Sequence, residues 1–354
     1  MVQLNPVSRV NDCGKKSDPM NKREILYSAL QHKDTRPVPY DISFTEPARN
    51  HMAAYYGDPE FESKIGNYFT WVRPHPGNVR YREVKPDHWE DEFGVVWDRR
   101  VDKDVGVVSN RVVHPGNLDQ ARFPDPHDPS RYEFINSIIG SRGEKNVLAS
   151  WGFALFERAW SMTGMQNLLM YMLSEPDFVH ALLDRILEVN LGIIEHTCSL
   201  DIDIFRFGDD YGQQNGLIMG ADLFRKFLKP RIRMIYQAVK EKGKYVMLHS
   251  CGRVTEILPD LIECGLDIFN PLQPEVMDIF EIKREFGREL SFFGGISVQR
   301  TLPLGTVEDT VKEVNLLLER LGKDGGYIAS PSHEVPGDAR PENVAAMIEV
   351  LQNQ

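Results

Sequence analysis

Apolar residues share one helical face over 21–31, where Ile25, Leu26, Ala29 and Leu30 recur at spacings of three and four behind Asn21, a candidate N-cap. Val38–Ile42 reads as a first strand and Glu46–Tyr56 as a second amphipathic helix. The pattern then changes. Residues 57–128 are rich in Pro, Trp, His and charge, with short alternating runs at Val79–Val84 and Gly94–Asp98. This predicts an antiparallel insertion that ends at the breaker cluster Pro124-Asp-Pro-His-Asp-Pro129. From Ser130 onward a strand–helix rhythm sets in. Helices are predicted over 130–139, 156–162, 164–173, 177–198, 221–241 with an interruption near Pro230, 254–263, 279–286, 307–321 and 342–351. Strands are predicted at Val147–Ala149, Asp203–Phe207, Tyr245–Leu248, Asp267–Phe269, Leu290–Phe293 and Gly326–Ala329.

Repeated strand–helix units with short apolar strands predict a parallel sheet buried on both faces. The expected fold is α/β, a (β/α)8 TIM-type barrel with a β-rich N-terminal insertion. A doubly wound open sheet is the alternative, and the absence of a GxGxxG or Walker A motif after any strand argues against it. Residues 1–19 read as a flexible polar arm, with Cys13 exposed on it, and 20–354 as the barrel domain with 57–128 inserted.

Composition narrows the class. The chain has 354 residues, 42% hydrophobic and 26% charged, which suits one large soluble domain. A net charge of −11 leaves no basic footprint for nucleic acid or an anionic membrane. The four cysteines, Cys13, Cys198, Cys251 and Cys264, show no disulfide-framework spacing. No apolar leader opens the chain and no run is long enough to span a bilayer, so a cytoplasmic location is expected. Assembly as a homodimer is left open.

In a parallel barrel the chemistry sits at the C-terminal strand ends. There the chain carries Tyr245-Val-Met-Leu-His-Ser-Cys-Gly-Arg253. His249 and Cys251, two apart at the end of a strand, project to the same side. Imidazole and thiolate together suit zinc, and His333, after the last strand, is the natural third donor. Glu334 is a candidate for the fourth position. The bland alternative is a hydrogen-bonded histidine beside an inert cysteine. Asp209 and Asp210 lie in a glycine-bounded loop. One is expected to orient a ligand or a metal-bound histidine, and either could instead cap a turn. Glu157 and Arg158 open a helix, as a catalytic carboxylate and a substrate anchor or as ordinary helix-end charges. Tyr211, Gln213, Gln273 and Gln299 are candidate substrate contacts, or loop ties. Glu92 reads as a solvated strand edge.

Several motifs together resemble the uroporphyrinogen decarboxylase superfamily. They are Phe224-x-x-Phe-x-x-Pro230, His249-Ser-Cys-Gly252, Leu258-Pro-x-Leu261, Asp267-x-Phe-Asn270, Gly294-Gly-Ile296 and Pro341-Glu-Asn-Val344. The likeness covers roughly residues 20–352 and implies a (β/α)8 barrel. The superfamily's decarboxylases are cofactor-free and use an N-terminal arginine motif to bind porphyrinogen carboxylates. Here the only arginines between residues 30 and 50 are Arg36 and Arg49. The resemblance is closer to the zinc-dependent methyltransferases that act with corrinoid proteins. In these a His-x-Cys pair and a late cysteine hold zinc, and His333 stands at the late position in this chain. The branch implies Zn2+ at His249, Cys251 and His333, a small-molecule methyl acceptor, and a corrinoid carried by a partner protein. The chain itself has no Asp-x-His-x-x-Gly corrinoid signature. A decarboxylase of a tetrapyrrole or other polycarboxylate, and a non-catalytic ligand-binding barrel, are the alternative readings.

Overall fold

The computed structural model describes residues 20–354 except Val79, Asp102 and Asp104. The expected N-terminal arm with Cys13, and the first residue of the 79–84 run, therefore lie outside the described residues. In chain order the elements are α1 (Lys22–Leu30), α2 (Glu46–Tyr56), β1 (Phe69–Val72), β2 (Tyr81–Lys85), β3 (His88–Asp91), β4 (Val96–Asp98), β5 (Val107–Val108), α3 (Glu133–Gly140), β6 (Asn146–Gly152), α4 (Phe156–Thr163), α5 (Met165–Ser174), α6 (Pro176–Thr197), β7 (Ile204–Gly208), β8 (Gly212–Gln213) and β9 (Gly216–Leu217). They continue with α7 (Ala221–Leu223), α8 (Lys229–Glu241), β10 (Tyr245–His249), α9 (Leu258–Cys264), β11 (Ile268–Leu272), α10 (Ile279–Phe286), β12 (Ser291–Ile296), α11 (Thr301–Leu304), α12 (Val307–Arg320), β13 (Tyr327–Pro331) and α13 (Pro341–Gln352).

Seven parallel strands run β1-β6-β7-β10-β11-β12-β13. The gap between the last and the first is filled by residues 39–42. The Ala329 amide donates to the Pro39 carbonyl at 2.8 Å and the Asp41 amide to Ala329 at 3.1 Å. On the other side the Tyr68 amide donates to Tyr40, and the Asn67 side chain clasps Ile42 through both its amide groups. This segment is the eighth stave of the barrel. It makes an isolated bridge rather than a regular strand. Pro37 and Pro39 lack the N–H groups a ladder requires, which accounts for the difference from the expected strand.

One strand lies where the hydrophobic pattern did not put it. Phe69–Val72 was expected inside the insertion but pairs with β6 in the barrel. The inserted sheet is the antiparallel meander β2-β3-β4-β5 that follows it. Trp97 anchors that sheet at the barrel mouth, against Phe153 and Trp160 at 5.1 and 6.4 Å between ring centroids. The interruption near Pro230 is a π-helical turn over Phe224–Leu228, after which Pro230 sits in the first turn of α8. Alternation sorts the barrel strands. Phe207 turns outward onto Tyr236 of α8, with ring centroids 5.6 Å apart, whereas Phe69 and Phe293 stack across the interior at 5.8 Å. Among the described residues no helix is long and apolar enough to cross a membrane.

Candidate metal centre

His249 ends β10 and pairs in register with Gly208 of β7 and Asn270 of β11. Its Nδ1 lies 2.6 Å from the Asn270 Oδ1, and the Asn270 amide nitrogen donates to the Phe293 carbonyl at 3.1 Å. The second bond fixes which end of the Asn270 amide faces the histidine. Nδ1 must therefore carry the proton, which leaves the Nε2 lone pair free. That Nε2 is 3.4 Å from the Cys251 sulfur. His333, on the loop after β13, brings its ring to 5.6 Å from that of His249. The three donor atoms lie within 4.8 Å of one another. Tetrahedral zinc with bonds of ~2.0–2.3 Å sets ligand atoms about 3.4–3.7 Å apart. One pair already has this spacing, and His333, exposed on its loop, is the donor with room to close the rest. Two imidazoles and one sulfur, with a histidine oriented by its outer nitrogen, fit zinc.

The loop that holds Cys251 is braced from below. The Cys251 amide donates to Asp210 Oδ1 at 2.8 Å, and the Tyr211 amide to the Ser250 hydroxyl at 2.9 Å. Gly252 has φ of +81°, and a Cβ there would stand 2.5 Å from the Gly212 backbone, so only glycine lets the two loops meet. Burial, then Asp210 and Glu157, push the Cys251 thiol up, while burial and the Arg206 charge hold His249 well below the ordinary imidazole value. The metal-free centre is thus a neutral thiol beside a neutral imidazole. A cation held by His249, Cys251 and His333 would favour the Cys251 thiolate. Burial raises Asp210, and burial together with Asp210 and Asp209 raises Glu157 well above a normal carboxyl.

The remaining predicted residues divide. Asp210 meets the Cys251 loop through the Cys251 amide, and its charge and that of Glu157 favour the protonated thiol. Asp209 serves a different element. Its buried carboxylate accepts the buried amides of Leu155 and Phe156, the part-buried amide of Glu157, all at 2.7–3.0 Å, and the buried Tyr211 hydroxyl at 2.9 Å. It anchors the first turn of α4, and Tyr211 is its partner rather than a substrate contact. Arg158 points away into the insertion, in a buried 2.6 Å ion pair with Asp91. Gln273 is a loop tie, its oxygen accepting the Gly252 amide at 3.3 Å. Gln213, on the β8–β9 hairpin, and Gln299, after β12, are exposed. Glu92 is not a solvated edge; it is part-buried and pairs with Arg131 and His75. Arg206 left a single signal in the sequence, a lone charge in the apolar strand Ile-Phe-Arg-Phe-Gly.

The family model described as uroporphyrinogen decarboxylase (URO-D) matches residues 95–354. The chain belongs to the uroporphyrinogen decarboxylase family. Within it, the chain is 23% identical over 241 residues to a protein of Methanosarcina barkeri named methylcobamide:CoM methyltransferase MtaA, covering 66% of this chain and 68% of that one. It is 23% identical over 155 residues to a methylated-thiol–coenzyme M methyltransferase of Methanosarcina mazei, covering 44% of this chain and 40% of that one. A solved structure described as a methyltransferase from Methanosarcina mazei superposes with a TM-score of 0.69 at 18% identity, over 95% of this chain and 99% of that one. That likeness extends the barrel assignment to the whole described chain.

Proposed function

We propose that this family member is a methyltransferase that moves a methyl group between a corrinoid held by a partner protein and a small thiol. Zinc held by His249, Cys251 and His333 would present the thiol. The observation that carries the reading is the convergence of those three donor atoms within 4.8 Å, with His249 oriented by Asn270. The names borne by the Methanosarcina relatives support it. Bound zinc would lower the thiol's pKa and keep it as a thiolate near neutral pH.

The chain's own groups do the rest. Asn270 holds the His249 ring with Nε2 toward Cys251. Asp210 fixes the backbone of the Cys251 loop, and in its carboxylate form it would take up the proton that the thiol loses. The loops at the C-terminal strand ends leave the centre at the barrel mouth, where a planar corrinoid on another protein can approach. The test combines metal analysis of the purified protein with methyl transfer from methylcobalamin to a thiol. About one zinc per chain, and activity lost on chelation and regained with zinc, are expected. A fully active metal-free protein would overturn the reading.

A decarboxylase reading draws on Arg80 and Arg206, which lie near the mouth and could bind carboxylates. It leaves the Cys251 cluster without a use, and loss of CO2 from a polycarboxylate by metal-free protein would favour it.

A further inference from the structure

A cavity of about 750 Å3 lies on the helical side of the barrel wall, bounded by α10, α12 and the loops that follow β10, β11 and β12. That volume is within the range of small-molecule sites. None of His249, Cys251 and His333 lines it, although Arg253, on its rim, shares a loop with Cys251.

Two carboxylates and two guanidiniums line the cavity without meeting. Glu275 follows β11 and Glu313 stands on α12. The Ser297 hydroxyl donates to Oε1 of Glu275. Oε2 of Glu275 and Oε2 of Glu313 are both buried with no hydrogen-bond partner among the described residues. Burial raises the Glu313 carboxyl, and the charge of Glu275 adds to the rise. Arg253 and Arg300 are exposed at the rim. Among the described residues neither comes within 4.0 Å of a carboxylate. Arg300 makes only a long contact, from Nη2 to the Pro274 carbonyl at 3.4 Å. Elsewhere on the outer helices Arg225, Arg233 and Arg284 each hold a carboxylate. Between the two charged sets the wall is apolar, with Met277 and Phe280 half-buried and Leu316 exposed.

Leaving buried carboxylate oxygens without a donor is costly. A simple cation would have to pass the rim arginines, and a simple anion would face the carboxylates within. A molecule carrying both charges satisfies both sets. An ammonium brings three donors to the carboxylates, and a carboxylate matches the planar fork of arginine. The wall between them calls for an apolar substituent.

We propose that this cavity is a second ligand site, for a free α-amino acid with an apolar side chain. Its ammonium sits against Glu275 and Glu313, its carboxylate against Arg300 and Arg253, and its side chain against Met277, Phe280 and Leu316. The site stands apart from the methyl-transfer reading, because it uses neither the metal nor its donors.

The test is calorimetric titration of the metal-free and the zinc-loaded protein with L-leucine, 3-methylbutylamine and 4-methylpentanoate. The amine is leucine without its carboxylate, and the acid is leucine without its ammonium. Leucine should bind at least about ten-fold more tightly than either fragment. Its affinity should agree within about two-fold with and without zinc, since no metal donor lines the cavity. Glu313→Gln should bring leucine down to the level of the acid without weakening the acid itself. Arg300→Gln should bring leucine down to the level of the amine without weakening the amine. Glu275→Gln and Arg253→Gln supply the same two contrasts should either of the first variants not fold. No heat of leucine binding at about 10 mM ligand, or equal affinity for all three molecules, would overturn the site. So would variants that lose all three alike, or leucine binding that disappears with zinc, which would place the ligand at the metal centre instead.

Discussion

Oδ1 of Asn270 lies 2.6 Å from Nδ1 of His249, its register partner on the neighbouring strand, and the opposite end of the same amide is tied to Phe293. The histidine's tautomer is therefore a property of the sheet. Any cation at Nε2 meets a ring already turned and already carrying its proton on the far nitrogen.

Asn270→Ala removes that constraint without touching a donor atom. Affinity for zinc, measured by competition with a chromophoric chelator, should fall about 10- to 100-fold. Asn270→Asp keeps an acceptor at Nδ1 and should retain most of it. Unchanged affinity in the alanine variant would mean that the ring is held by something else.

The two adjacent aspartates should separate in a stability experiment. Asp209→Ala strips the acceptor from two buried amides, a part-buried one and a buried hydroxyl, at about 1–3 kcal/mol for each buried donor left unpaired. A large drop in melting temperature is expected, since several of these losses fall together. Asp210→Ala leaves one part-buried amide, that of Cys251, without its acceptor. It should melt close to wild type but bind zinc more weakly and transfer methyl groups more slowly. The reverse ranking in melting temperature would show that the roles are exchanged.

This pair also shows where the chain stopped being legible. The strand–helix rhythm after residue 130 is written in the apolar pattern. His249 and Cys251 were legible because alternation sends i and i+2 to one side. His333 followed from barrel closure, which brings the last strand end back to the earlier ones. Asp209 and Asp210 share one loop and one chemistry, and only the positions of α4 and of the Cys251 loop distinguish them. Phe69–Val72 was hidden among Pro, His and Trp residues that read as insertion. Arg158 looked like a mouth residue because it opens a helix, but its turn faces Asp91. Arg206 was masked by its strand, where the aromatic residues on either side drew the reading toward a uniformly apolar stave.

Asp41 provides a pH test. Burial holds its carboxyl up at about 7, against bonds from Trp71 and Phe69 that favour the charged form. In an unfolded chain an aspartate titrates near about 4. Between the two values the folded protein keeps a proton that the unfolded chain has released, so this group's contribution to stability falls as pH rises through that window. A displacement of this size corresponds to roughly 4 kcal/mol at most. Asp41→Asn cannot ionise. Its melting temperature relative to wild type should therefore climb from pH 4 to pH 7 and level off above. A constant offset across the range would show that Asp41 titrates normally.

Cysteine exchange tests the metal centre most directly. Cys251 is 3.4 Å from the free nitrogen of His249, whereas Cys264, at the end of α9, is buried with its thiol 3.7 Å from the Lys229 carbonyl. Cys251→Ser replaces a thiolate with a hydroxyl that stays protonated and donates poorly, so most bound zinc should be lost. Cys264→Ser should keep its zinc, and any change there should appear in stability alone. The barrel has an extensive apolar core of its own, so neither chelation nor Cys251→Ser should unfold it. The measurements are zinc per chain by elemental analysis, circular dichroism before and after chelation, and methyl transfer from methylcobalamin. Zinc and activity should disappear together in Cys251→Ser while the dichroism spectrum stays unchanged. If Cys251→Ser retains a full zinc equivalent, the thiolate is not a ligand and the metal centre built on His249, Cys251 and His333 is wrong. If zinc is lost but methyl transfer persists at the wild-type rate, the centre is structural, and the methyl acceptor is activated elsewhere at the barrel mouth.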